Sequence, residues 1–200
     1  MDELDNHSVS WKYYSGTPGT FTTPTEHDPL PAFESFKTNA SRMQRLSPHD
    51  AFLTDLKNGS LSNVTWVMPK AGQTEEAPEN ITVGELSVIS EINAVMQSPY
   101  WNSTAIFVTW HDWGGFYDHA APPQVDSLRL GSECRALSSV RMQRRVCRSY
   151  SWGIQFDPQV HRDELLAAPL TARDAATSNM LEAFDFSQTP GRHSSFPART

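Results

Sequence analysis

No apolar run in the 200 residues approaches the roughly 20 that a membrane-spanning helix needs, so no transmembrane segment is expected. Cysteine is scarce. Cys134 and Cys147 have neither CxxC nor zinc-ribbon spacing and say nothing about metal or redox chemistry. Positive charge is also short: 16 Lys and Arg face 23 Asp and Glu, for a net charge of -7. A nucleic-acid surface would need clustered basic residues, so that class of partner is not expected. The opening MDELDNHSVS is acidic and polar, unlike the basic and apolar regions of a signal peptide.

Hydrophobic residues make up 38% of the chain, enough for a lean core, and 14 prolines imply many connections. Val9 to Tyr14 alternates apolar and polar side chains and predicts a short strand. The Gly/Pro/Thr stretch after it is a loop in which His27 and Asp28 are expected to be solvated. Ser47-Pro48-His49-Asp50 reads as a helix start, with Ser47 as N-cap and Pro48 at the first helical position. Asn58-Gly59 closes that helix. A second strand is predicted over Val64 to Met68. From Gly84 to Met96, Leu86, Ile89, Ile92, Val95 and Met96 share one helical face, with Glu85 and Glu91 on the solvated side. The next strand begins near Thr104, so strand, helix and strand follow one another as in a parallel α/β layer. Thr171 caps a further predicted helix reaching about Ala183, and residues 190–200 read as a loose tail. Six asparagines, at 6, 39, 58, 63, 80 and 102, open N-x-S/T triplets. A chain rich in Ser and Thr produces such triplets, and so does a glycosylated, exported eukaryotic protein.

The densest chemistry lies in Thr104 to Asp126, where a β-rich segment runs into WHDWGGFYDHAAPP. His111, Asp112, Asp118 and His119 supply four metal ligands or proton carriers within nine positions. Carboxylate oxygens and neutral imidazoles suit divalent metals, which can activate a nucleophile or act as Lewis acids beside a phosphate. Gly114 and Gly115 permit a tight turn that would leave these groups facing one cleft. On composition alone, the same residues also fit a polar strand exit with one hydrogen-bonded histidine.

The run SPYWNSTAIFVTWHDWGGFYDHAAPPQVD resembles the phosphoesterase family of bacterial and fungal phospholipases C and acid phosphatases. The resemblance extends upstream through SWKYYSG, FLTDLKNG and VTWVMP, and resumes in LTARDAATSNMLEAFDFSQTP, covering about four-fifths of the chain. It implies an α/β fold, an alkaline-phosphatase-like three-layer sandwich with a mainly parallel sheet, here incomplete. It also implies metal-assisted hydrolysis of a phosphate-ester or phospholipid substrate. The family's acidic pair falls on His111 and Asp112, so Asp112 is the expected metal ligand and His111 stands where the family carries Asp. His119 is the expected catalytic residue, in contact with metal or substrate phosphate, and Asp118 orients its loop. The cofactor implied is a divalent metal ion of unspecified identity. Family members are often exported to the periplasm, cell wall or medium.

Three departures from the family pattern bear on activity. Its E-N-R-S-F metal motif and the hydroxyl nucleophile beyond it are absent, so residues 1–200 read as the C-terminal portion of a phosphoesterase domain. Ala77 occupies the slot of a family histidine, in the loop Glu75-Glu76-Ala77-Pro78. The later S-P-Y-A and D-H-T segments are missing from the atypical region 127–168, where Arg129, Arg135, Arg141, Arg144, Arg145 and Arg148 crowd together. Permitted codons for Arg148 to Phe156, read one base later, spell DHTPGEF, and SVRMQR can conceal SPYAK. Compensating frameshifts across this region are therefore expected, with the frame restored before Leu170. Arg-rich sequence in place of a helix and a strand would remove more core than the roughly 5–15 kcal/mol a domain has to spare. Two readings follow: a hydrolase acting on phosphate esters, or a catalytically inactive fragment that survives at most as a binding module.

Overall fold

The computed structural model describes residues 1–16, 28–110, 115 and 117, together with the backbone of 137 and 138. The protein divides into two compact units: the first takes in Met1–Pro99 and the second begins at Tyr100.

The first unit is α/β, as its sequence implies. Helix α1 (Asp2–Asn6) leads into strand β1 (Trp11–Tyr14). Two single helical turns, α2 (Glu34–Lys37) and α3 (Ala40–Met43), precede strand β2 (Leu46–Ser47). Helix α4 (Ala51–Asn58), strand β3 (Val64–Val67) and helix α5 (Ile81–Met96) follow. The three strands form a parallel sheet in the order β2-β1-β3. Tyr13 lies opposite Leu46, and Trp11 to Tyr14 lie opposite Val64 to Val67.

Strand β1 is central, and both of its faces are covered. Successive strand residues point to opposite faces. Lys12 and Tyr14 therefore share the face on which α4 packs: Tyr14 is fully buried, its ring edge-on to Phe52 at 5.6 Å. The Asp55 carboxylate of α4 accepts from Lys12 Nζ at 2.6 Å and Tyr14 Oη at 2.7 Å. Burial by itself raises the Asp55 carboxyl, but these donors together carry it below the ordinary carboxylate range. On the opposite face Trp11 meets Phe36 of α2 at 5.9 Å, and Tyr13 meets Trp66 of β3 at 6.5 Å. The Trp11 indole N–H donates to Asp5 at 2.9 Å, and the Arg45 guanidinium lies 4.7 Å from the Trp11 ring.

Several sequence expectations need correction. Ser47 is not a helix cap. It belongs to β2, its carbonyl accepting from Ser15 N–H at 3.0 Å, and α4 starts only at Ala51. Helix α5 begins three residues before Gly84 because Asn80 caps it, its Oδ1 accepting from Thr82 N–H. Val95 and Met96 are buried, but Leu86 of the same expected face is 37% exposed, as are Ile81 and Val83 nearby at 43% and 42%. Asn58-Gly59 does end α4: Gly59 has φ +72°, the left-handed conformation in which a Cβ meets the following carbonyl. Gly59→Ala should lower stability by about 1–2 kcal/mol, read as a reduced urea midpoint at unchanged slope.

A 3-10 turn (Pro99–Ser103) precedes strand β4 (Phe107–Val108) of the second unit. Strand β4 pairs antiparallel with β5 (Leu137–Ser138) in a two-stranded sheet, Phe107 opposite Ser138 and Val108 opposite Leu137. The predicted helix from Thr171 to Ala183 and the tail 190–200 lie outside the described residues.

Candidate functional site

Parallel α/β sheets bind their ligands beyond the carboxyl ends of the strands. In the first unit that edge collects all four buried polar residues recorded among the described ones: Ser15, Asp28, Ser47 and His49. Ser15 follows β1, Ser47 ends β2 and His49 comes two residues after it. Met68, just past β3, donates its N–H to the Tyr14 carbonyl at 2.8 Å. Hydrogen bonding across the strand ends thus draws residues distant in sequence into one polar edge.

Both ring nitrogens of His49 have partners. Its Nδ1 lies 2.7 Å from the Met68 carbonyl and its Nε2 lies 2.9 Å from Glu91 Oε1. With a carbonyl and a carboxylate on its two nitrogens, the ring is best satisfied as imidazolium, which donates from both. The hydrogen bond to Glu91 accordingly raises the His49 pKa; burial opposes the rise and the Met68 carbonyl adds to it. Glu91, expected on a solvated helix face, instead points inward to this histidine. Glu85 is exposed, as expected.

Asp28 also departs from its expected solvated state. It is 5% exposed, and burial pushes its carboxyl above the ordinary range, with the nearby Ser15 side chain and Leu30 backbone opposing the rise. The buried Tyr13 phenol is raised as well, first by burial and then by the Asp28 charge. Sequence reading missed Asp28 and His49 because their partners are non-local. No local pattern in the sequence marks either.

His111, Asp112, Asp118 and His119 lie outside the described residues, as do His27 and both cysteines. The residues flanking the predicted ligands are described. Trp110 is 37% exposed, Tyr117 is 93% exposed, and Gly115 adopts φ +80°, a left-handed turn between the two pairs of candidate ligands. No group of three or more His, Cys, Asp or Glu side chains suited to a metal occurs among the described residues. Ala77 is exposed, at the loop position where the family resemblance places a histidine.

Comparison with known proteins decides the lineage. The model of the phosphoesterase family matches residues 1–149. This chain belongs to the phosphoesterase family. Its match includes the HDWGGFYDH run and the first part of the Arg-rich region, and ends before the resemblance expected after residue 170. Phospholipase C A of Mycobacterium tuberculosis (strain CDC 1551 / Oshkosh) is 29% identical over 131 residues, covering 61% of this phosphoesterase chain and 25% of the relative. Non-hemolytic phospholipase C of Burkholderia pseudomallei (strain K96243) is 29% identical over 100 residues, covering 50% of the chain and 14% of the relative. Non-specific phospholipase C6 of Arabidopsis thaliana is 31% identical over 81 residues, covering 37% and 16%. The phosphoesterase chain therefore spans a quarter or less of the length of these relatives.

Proposed function

We propose that this phosphoesterase chain contributes to metal-assisted hydrolysis of a phosphate ester, with a phospholipid phosphodiester as the favoured substrate. The observation that carries this reading is the family match through His111, Asp112, Asp118 and His119, in a chain whose relatives are named phospholipases C. In the proposal Asp112 supplies an anionic oxygen ligand and His111 a neutral nitrogen ligand. This donor set fits a divalent ion that accepts nitrogen and oxygen together. The left-handed Gly115 supports the fit, since it lets the chain reverse between the ligand pair and His119. A bound divalent ion would supply Lewis-acid polarisation of the phosphoryl group. His119 would hydrogen-bond the phosphate or complete the ligand set, and Asp118 would orient the loop that carries it.

A second reading is an inactive member of the family that retains only binding. Two observations favour it. Exposed Ala77 offers a methyl group that can neither ligate nor donate a hydrogen bond, and His111 replaces a family carboxylate with a neutral group. The two readings separate in a chromogenic phosphate-ester assay with added divalent metals, run beside metal titration by calorimetry. The hydrolase reading expects metal-dependent turnover that falls on the order of 100-fold or more in Asp112→Ala, with weakened metal binding. Metal binding that Asp112→Ala abolishes, without turnover in the parent chain, establishes the inactive reading. Binding unchanged by the substitution removes Asp112 from the site.

A further inference from the structure

We propose that Asn6, Asn39, Asn58, Asn63, Asn80 and Asn102 are N-glycosylation sites of this protein. The sequence has eight asparagines, and six open an N-x-S/T triplet without proline at x. Ser and Thr make up 38 of 200 residues, so eight asparagines should open roughly one or two such triplets by composition alone. The surplus is large enough to need a cause.

The fold supplies a second, independent observation. All six triplet asparagines are exposed, and each sits at the end of an element or in a turn. Asn6 and Asn58 end α1 and α4, and Asn39 and Asn80 cap α3 and α5. Asn63 immediately precedes β3, and Asn102 lies in the Pro99–Ser103 turn. The remaining described asparagine, Asn93, opens no triplet and lies inside α5, partly buried. A glycan is bulky and strongly hydrated, so it is tolerated only where the acceptor faces solvent. Exposure and triplet thus coincide at every described asparagine.

The atoms left for reaction agree with this placement. Asn39 Oδ1 accepts from Ser41 N–H, Ser41 Oγ and Arg42 N–H, Asn63 Oδ1 accepts from Ser10 Oγ, and Asn80 Oδ1 accepts from Thr82 N–H. Among the described residues, none of the six uses its Nδ2 in a hydrogen bond. Glycosylation forms a bond from Nδ2 to the anomeric carbon of an oligosaccharide carried on a lipid pyrophosphate. The anomeric C–O bond breaks, the lipid pyrophosphate leaves with its electron pair, and Nδ2 gives up one proton. Oδ1 is untouched, so the helix caps at Asn39 and Asn80 survive the modification.

The test is expression of the full chain, with a secretion leader, in a glycosylating eukaryotic host. Intact mass is measured on secreted and retained protein together, before and after peptide N-glycosidase in ¹⁸O water. The proposal expects several glycans, with ¹⁸O-labelled Asp at the modified positions, and loss of one glycan for each Asn→Gln substitution. Asn80→Asp separates modification from capping: it keeps Oδ1, so it should lose its glycan while the thermal midpoint of the deglycosylated chain stays unchanged. Thr82→Ala should remove the same glycan. A bare chain, a single glycan, or labels that ignore these substitutions would overturn the proposal.

Discussion

Trp11→Ala should unfold the first unit under conditions in which the parent chain is native, with a loss of about 3–5 kcal/mol. Trp11 is 2% exposed, at the start of the central strand. Its removal opens a cavity between Phe36 and the sheet and takes away the ring beneath Arg45. Asp5 also loses its indole donor, though Arg42 Nη2 at 2.7 Å and Arg45 Nη1 at 2.6 Å remain. Those two cations, with the indole, hold the Asp5 carboxyl below its usual range against the upward push of burial. Trp11→Phe separates packing from hydrogen bonding, since it keeps a large ring and loses the N–H. It should cost about 1 kcal/mol, near the net worth of one hydrogen bond. Urea denaturation followed by far-UV circular dichroism reads both variants. Equal losses in the two would place the indole N–H, rather than burial, at the centre of Trp11's contribution.

Glu91→Leu should cost about 1–3 kcal/mol, because it leaves a buried imidazole nitrogen without its acceptor. The pH dependence is the sharper result. His49 has a pKa raised above its ordinary 6.5, so the folded state binds its proton more tightly than the unfolded chain does. That stabilisation is fully present below about pH 6.5 and is lost as pH rises through the higher folded value. The parent chain's advantage over Glu91→Leu should therefore be greatest at about pH 6 and shrink on the alkaline side. Urea midpoints across this range measure it. An advantage that grew with pH would mean the buried His49 is neutral in the folded protein.

Strands β1 and β3 and helices α4 and α5 were legible because each carries its signal within a few residues. VSWKYY and VTWVM alternate or run apolar, Asn58-Gly59 is a stop, and the apolar spacing in α5 is helical. Strand β2 was not legible. Two residues hold no period, and Leu46–Ser47 is a strand only because β1 lies alongside it. The Ser-Pro-His-Asp pattern imitates a helix start, but the ladder to β1 fixes Ser47 first, and the helix waits until Ala51. The site divides in the same way. HDWGGFYDH announces the family through residues adjacent in sequence. Asp28 lies 13 positions from Ser15 and His49 lies 42 from Glu91, so burial and pairing at the sheet edge leave no local pattern. The strand expected from near Thr104 is present as β4, because AIFV is apolar, but its antiparallel pairing over two residues has no local signal.

The order β2-β1-β3 places the earliest of these three strands in the middle of the sheet. Both of its neighbours come later, and the second is complete only at Val67. On a ribosome adding roughly 5–20 residues per second, Tyr14 precedes Val67 by roughly 3–10 s. Through that interval WKYY, with three large aromatic rings, lacks the partners that β2 and β3 will later supply to its two hydrogen-bonding edges. Unpaired apolar strands of this kind are templates for association between chains. The hazard therefore belongs to synthesis rather than to the finished molecule, and slower translation should lower the soluble yield of the nascent protein.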